Sequence, residues 1–263
     1  MAAPYLVWAV IFIVVPLLMV LYYAFTDQNG AFTLNNLKEI TAFADTFLIS
    51  IWLGAVATVI CLLIAYPLSY LISRMSERKQ RFMMILVMLP MWINLLLRTY
   101  ALMKILEDTG FINTLLSWLH IPTVHMINTR GAVVAGMVYN FIPYMILPIY
   151  TVMSRIEKPV IEASQDLGAG AFSTFRRVIM PLSVPGVVSG ITMVFVPSVS
   201  TFYISQKLGG NIALIGDLIE YKFNNEMNYN VGAAMSLVLM VMILLCMLVM
   251  NQFADDTEEA IVV

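Results

Sequence analysis

The chain has 263 residues, of which 61% are hydrophobic and 11% are charged, and its formal net charge is −2. Water-soluble domains carry about 25% charged residues. A chain so poor in charge cannot cover a water-facing surface, so we expect an integral membrane protein. The small negative charge also provides no basic field for a nucleic-acid partner.

Six apolar segments follow one another along the chain. Each is about 20 residues long or longer, which is enough for a helix to cross the roughly 30 Å hydrocarbon core of a bilayer. We therefore predict an all-α integral membrane protein with six transmembrane helices in a single domain. The segments cover approximately 5–25, 47–72, 82–103, 132–153, 182–203 and 231–251.

Two of the connections between these segments are long and partly apolar. Residues 110–121, with Trp118 as a possible anchor, and the stretch LIGDLIEYKF in the fifth connection are candidates for short helices at the membrane interface. Ordinary ordered loops are the alternative for both.

Basic residues are concentrated in the second and fourth connections. By the positive-inside rule these connections are cytoplasmic, and both termini then lie in the cytoplasm. The residues concerned are Arg74, Arg78, Lys79 and Arg81 in the second connection and Arg155, Lys158, Arg176 and Arg177 in the fourth.

The fourth connection, residues 157–181, is charged and compatible with a helix. Pro159 is a favourable residue for a helix start, so we expect about two helical turns from Val160 to Leu167. Gly168 then ends the helix and permits a sharp turn. We expect Pro181 or Pro185 to open the fifth span.

The spacing in this connection resembles the EAA loop of ABC importer permeases, which reads E-A-A, three residues, G, nine residues, I-x-L-P. The corresponding residues are Glu162-Ala163-Ser164, Gly168 and Val178-Ile179-Met180-Pro181. Segments 89–102, 110–116, 141–150 and 202–219 further resemble the PotB-type permeases of spermidine/putrescine importers. The resemblance extends from about residue 5 to residue 250.

The resemblance implies a type I ABC importer permease fold that forms half of a translocation pathway in a bacterial inner membrane. The partners would be two copies of an ATPase subunit, a different permease chain of the PotC type and a PotD-type polyamine-binding protein outside the cell. ATP and Mg would bind to the ATPase, so this chain would have no cofactor, catalytic residue or metal site of its own. The implied ATPase-coupling residues are Glu162, Ala163, Ser164, Asp166, Gly168 and Pro181.

Candidates for the solute pathway are polar and aromatic residues within or near the spans. Asn94 and Asn140 are expected to point into the bundle, where interhelical hydrogen bonding is the alternative role. Arg98 either extends to the interface with a structural partner or acts at a gate. The tyrosines line the pathway or form an interfacial belt. The full set is Trp92, Asn94, Arg98, Tyr100, Tyr139, Asn140, Tyr144, Ser198 and Tyr203.

No carboxylate lies deep in any predicted span, so the partner chains would supply most of the charge recognition of a polyamine. Two alternatives remain open: a permease for another small solute, such as ferric ion or an amino-acid-like molecule, and a secondary transporter. A secondary transporter predicts inverted repeats and a coupling carboxylate within the membrane, and the sequence has neither.

Overall fold

The computed structural model describes the backbone of residues 3–262 and the side chains of residues 6–250 and 252. We number its helices in chain order: α1 (residues 3–24), α2 (Asn35–Ile40), α3 (Ala44–Ser73), α4 (Glu77–Met88), α5 (Leu95–Leu106), α6 (Phe111–Trp118), α7 (Arg130–Arg155), α8 (Lys158–Asp166), α9 (Ala171–Ser200), α10 (Tyr203–Leu208), α11 (Ile215–Asn224) and α12 (Tyr229–Val262).

The prediction of an all-α membrane protein is confirmed. Helices α1, α3, α7, α9 and α12 are long and apolar enough to cross a bilayer. A sixth crossing results when α4 and α5, which are bent relative to each other, are counted together. Residues 110–121 and the LIGDLIEYKF stretch do form helices, α6 and α11.

The expected third span, 82–103, is wrong as a single helix. Glu77–Trp92 and Leu95–Trp118 form two arms bent by 92°. Pro90 lies in a short 3₁₀ turn, and Ile93 and Asn94 have extended backbones between the arms. A proline removes the hydrogen bond to the carbonyl four residues earlier and crowds it, so the helix ends there.

The expected fifth span, 182–203, is shifted at both ends. The observed helix begins at Ala171 and ends at Ser200, so neither Pro181 nor Pro185 opens it and Tyr203 lies in the next helix. A π-helical turn, Phe175–Ile179, precedes Pro181. The wider turn moves backbone away from the proline ring, so the helix continues through Pro181.

The same arrangement occurs in α1, where the π-helical turn Val10–Val14 precedes Pro16. Its closing bond runs from the Val15 amide to the Val10 carbonyl, five residues back. Both long helices therefore pass a proline without a break in the chain direction.

Helices α3, α7 and α9 pack against one another and form the main core. Gly186 and Gly190, one turn apart on α9, allow close contact with α7. A Cβ on Gly186 would lie 2.9 Å from the Pro148 carbonyl oxygen, and one on Gly190 would lie 2.7 Å from the Met145 sulfur. Small residues at this spacing are typical of helix pairs in membranes.

A second core joins the end of α1 to α2, α11 and α12. Ala24, Ile215, Ala234 and Met235 are fully buried in it. The apolar length of α1 before Ala24 is almost wholly exposed. That surface is therefore available to lipid or to another chain.

Candidate coupling and pathway sites

Helix α8 contains the residues expected to contact an ATPase, and it projects from the bundle. No residue of Lys158–Asp166 is buried, and the side chains of Glu162, Ala163 and Asp166 are exposed. Pro159 lies in the first turn, as predicted. The segment thus presents a free helical face of about two turns.

Gly168 ends α8 in the way that the sequence predicts. Its φ of +86° is in the left-handed region, which costs glycine little and other residues more. The Ala169 amide donates to the Ser164 carbonyl at 3.1 Å, and the Gly168 amide donates to the Gln165 carbonyl at 2.9 Å. This pair of bonds is the Schellman motif, which turns the chain sharply away from the helix axis.

Ser164 connects α8 to the start of α9. Its hydroxyl lies 3.1 Å from the hydroxyl of Thr174, which is only 2% exposed. The serine at the third position of the E-A-S sequence is therefore a contact between the projecting helix and the spanning helix. Pro181, half-buried in α9, lies beyond the π turn and outside α8.

Two apolar side chains beside α8 were missed in the sequence reasoning. Leu167 is 90% exposed and Phe172 is 77% exposed. The two side chains give the glycine turn beside α8 an exposed apolar surface. Their signal was in the sequence, as apolar residues on either side of the glycine turn.

Trp92 and Asn94 lie at the bend between α4 and α5. The indole of Trp92 is 80% exposed. The expectation that Asn94 points into the bundle is wrong: its side chain is exposed and caps α5, with Oδ1 accepting from the Leu96 amide at 2.7 Å. Asparagine is a preferred N-cap residue because its oxygen satisfies a free amide of the first turn.

Asn140 is fully buried and makes the interhelical hydrogen bond that was one of its two expected roles. Its amide nitrogen donates to the Thr99 hydroxyl of α5 at 3.2 Å and to the Gly136 carbonyl at 2.9 Å. Arg98, the neighbour of Thr99, is only 5% exposed. Its Nε and Nη1 have no hydrogen-bond partner among the described residues, so the expected structural partner is not provided there.

Lysines of the same chain already cover two of the candidate aromatic residues. The ammonium group of Lys104 lies 5.7 Å from the centre of the Tyr100 ring, and that of Lys207 lies 5.6 Å from the centre of the Tyr203 ring. These distances are typical of cation–π contacts. A solute cation would have to displace a lysine to reach the same face of either ring.

The remaining pathway candidates lie in different places. Tyr139 lines an apolar groove of about 680 Å³ between α3 and α7, which also contains Trp52. Tyr144 packs edge-on against Phe141, and Ser198 is fully buried in α9. The structure of the single chain therefore does not bring the nine candidates into one site.

One carboxylate outside the spans is buried. Asp217 is 9% exposed at the start of α11, and its Oδ2 accepts from the Leu214 amide at 2.7 Å. Burial raises the pKa of the Asp217 carboxyl to about 6, and nearby Ser205 lowers it only in part.

The chain is similar to proteins of one family. Residues 65–257 match the family described as "Binding-protein-dependent transport system inner membrane component". The chain is 34% identical to the spermidine/putrescine transport system permease protein PotB of Haemophilus influenzae over 253 residues, which cover 92% of this chain and 88% of the relative. It is 32% identical to the PotB protein of Escherichia coli K12, covering 92% of each chain.

Among solved structures, the fold matches a chain of a bacterial ABC transporter involved in the import of the acidic polysaccharide alginate. The TM-score is 0.78 at 17% sequence identity, and the match covers 96% of this chain and 93% of the other. This likeness establishes the permease fold. The match of residues 65–257 and the 34% identity to a relative over 92% of the chain show that the chain belongs to the inner membrane components of binding-protein-dependent transport systems.

Proposed function

We propose that this chain is a permease subunit of an ATP-driven importer for polyamines, and that α8 and the following glycine turn transmit the movement of an ATPase to the spans. The observation that carries the coupling role is the exposed surface formed by α8, Leu167 and Phe172. The surface combines apolar side chains with the carboxylates of Glu162 and Asp166. Such a mixture is typical of an interface with another protein.

The bond between Ser164 and Thr174 supports the transmission of movement. It joins α8 to the first turn of α9, which continues through the bundle to Ser200. A displacement of α8 would therefore act on α9, and α9 packs closely on α7 through Gly186 and Gly190. In the proposed orientation α8 and both termini are cytoplasmic, in agreement with the basic residues of the second and fourth connections.

The polyamine substrate is proposed from the relatives that bear the name of spermidine/putrescine permeases along nearly the whole chain. In this proposal the ATPase is present in two copies and binds ATP and Mg. A different permease chain of the PotC type completes the pathway, and a PotD-type protein delivers the polyamine.

The substrate is tested by reconstituting the four kinds of subunit in proteoliposomes and measuring ATP-dependent uptake of labelled spermidine and putrescine. We expect uptake that requires both ATP and the binding protein. A complete complex that imports neither compound would contradict the proposed substrate.

The coupling surface is tested with Leu167→Glu. A charge that is buried without a partner in an interface costs roughly 3–5 kcal/mol, so we expect loss of the copurifying ATPase and at least about tenfold slower uptake. Met75→Glu is the matched control, because Met75 is also an exposed apolar residue, at 38%, and lies in the other basic connection. Full ATPase binding by the Leu167 variant would rule out this surface.

A further inference from the structure

A small polar cavity lies where the end of α1 meets the beginning of α12. Its volume is about 360 Å³, several times the roughly 30 Å³ that one water occupies in the liquid. The residues that line it include Tyr22, Tyr23, Asp27 and Tyr229. The proposed orientation places this cavity on the outer side of the membrane.

Three tyrosine rings converge at this cavity. The ring centres of Tyr22 and Tyr23 are 5.6 Å apart, and those of Tyr23 and Tyr229 are 6.4 Å apart. Tyr22, Tyr23 and Tyr229 are 57%, 37% and 49% exposed, so their own chain covers them only in part. Unlike Tyr100 and Tyr203, none of the three has a lysine or arginine over its ring among the described residues.

Asp27 provides a carboxylate held in a defined position. Its Oδ1 accepts from the Asn29 amide at 2.8 Å and from the Ala31 amide at 2.9 Å. Oδ2 has no hydrogen-bond or ion-pair partner among the described residues. Asp27 is also the one residue with a charge at neutral pH among those that line the cavity.

Buried asparagines keep the two walls of the cavity together. The amide of Asn230, on α12, donates to the Thr26 carbonyl at 2.7 Å and to the Tyr23 carbonyl at 3.2 Å. The amide of Asn36, on α2, donates to the Thr26 carbonyl at 2.9 Å. Both asparagines are less than a tenth exposed, and their bonds hold the end of α1 against α2 and α12.

A cavity lined by one carboxylate and three partly exposed tyrosines is chemically suited to an alkylammonium group. The carboxylate offers charge and a hydrogen-bond acceptor, and the negative faces of the rings attract the cation while the rings also contact its methylenes. Asp27 is the only carboxylate that lines the cavity, and the described residues contain no group of three or more His, Cys, Asp or Glu side chains that could hold a metal ion. An anion would be repelled by Asp27.

We propose that Tyr22, Tyr23, Asp27 and Tyr229 form a binding pocket for a primary ammonium group at the outer end of α1 and α12. Two sources share this chemistry: a polyamine and the headgroup of phosphatidylethanolamine. The choice of a polyamine as the ligand rests on the proposed function. The proposal that the pocket binds an ammonium group does not depend on that function.

The test uses the complex of the two permease chains and the ATPase, purified in a maltoside detergent without the binding protein, because the binding protein would contribute a putrescine site of its own. Asp27→Asn removes the charge and keeps an acceptor for the two turn amides. Tyr229→Leu removes the aromatic ring, whereas Tyr229→Phe keeps the ring and removes only the hydroxyl. The matched controls are Glu39→Gln, an exposed acid on α2, and Tyr221→Leu, a 46% exposed tyrosine that does not line the cavity.

Binding of labelled putrescine is measured by equilibrium dialysis, and retained phosphatidylethanolamine is counted by native mass spectrometry. We expect Asp27→Asn and Tyr229→Leu to weaken putrescine binding about three- to tenfold, while Tyr229→Phe and both controls stay within about twofold of the unchanged protein. Loss of the lipid with unchanged putrescine binding would assign the pocket to the headgroup.

Unchanged putrescine binding and unchanged lipid in both test variants would overturn the pocket. Equal losses in the Phe and Leu variants of Tyr229, with Asp27→Asn unaffected, would overturn it as well, because ammonium recognition requires the ring and the charge. ATP-dependent uptake by the unchanged transporter is measured in parallel, in proteoliposomes with the binding protein added. Its absence would contradict the proposed function, whereas the binding measurements test the pocket independently of uptake.

Discussion

At the scale of single residues, Asp217 makes the stability of the protein depend on pH. Its carboxyl is buried at the start of α11, and this burial raises its pKa to about 6. The unfolded chain binds the proton less tightly, with a pKa near the ordinary value of about 3.9. Protonation therefore favours the folded state, and its contribution is lost as the pH rises through about 6.

We predict that the apparent melting temperature of the detergent-purified protein falls as the pH rises from about 4 to about 6 and then levels off. Asp217→Asn, which keeps an acceptor for the Leu214 amide, should flatten this dependence and raise the melting temperature at pH 7 by a few degrees. Glu39→Gln, at an exposed carboxylate on the same side of the membrane in the proposed orientation, is the control. An identical pH profile in the Asp217 variant would contradict the assignment.

At the scale of elements, the end of α8 depends on backbone conformation alone. A Cβ on either Gly168 or Gly170 would meet no atom within 4 Å. The two glycines differ in φ, which is +86° at Gly168 and −66° at Gly170. A substitution at Gly168 is therefore strained without any steric contact, whereas Gly170 accepts a side chain.

We predict that Gly168→Ser slows ATP-driven uptake by about tenfold, because the left-handed conformation costs a residue with a Cβ roughly 1–2 kcal/mol and the altered turn misplaces α8. Gly168→Asn should recover part of the activity, since asparagine tolerates this conformation better. Gly170→Ser, at a helix N-cap where serine is preferred, should leave uptake within about twofold. Equal effects of serine at both positions would exclude a conformational cause.

At the scale of the whole molecule, the contact between α7 and α9 determines how the bundle is assembled. Gly190 lies against Met145 and Pro148, and a side chain there would require the two helices to separate. Overpacking of a tight interface typically costs 1–3 kcal/mol. Gly131, at the exposed start of α7, has only an ordinary contact with Thr129 at 3.6 Å.

We predict that Gly190→Val lowers the apparent melting temperature of the purified protein by several degrees and reduces the amount of assembled complex. Gly131→Val should leave both close to their original values. Thermal unfolding followed by fluorescence and size-exclusion chromatography measures the two effects. A Gly190 variant as stable as the Gly131 variant would indicate that α7 and α9 can separate at little cost.

The sequence by itself determined the features that depend on neighbouring residues. Apolar length identified the spanning helices, because a helix must be about 20 residues long to cross the bilayer. Pro159 and Gly168 located both ends of α8, because capping and left-handed turns are properties of a few consecutive residues. The resemblance of the same residues to the EAA loop then pointed to the permease family.

Only the tertiary structure decided which residues meet. The burial of Arg98 and the bond between Asn140 and Thr99 follow from how α5 and α7 pack. Tyr22 and Tyr229 lie near opposite ends of the chain and line one cavity because α1 and α12 are neighbours in the fold. Residue type and local spacing do not reveal such contacts, because the contacts arise from the packing of whole helices.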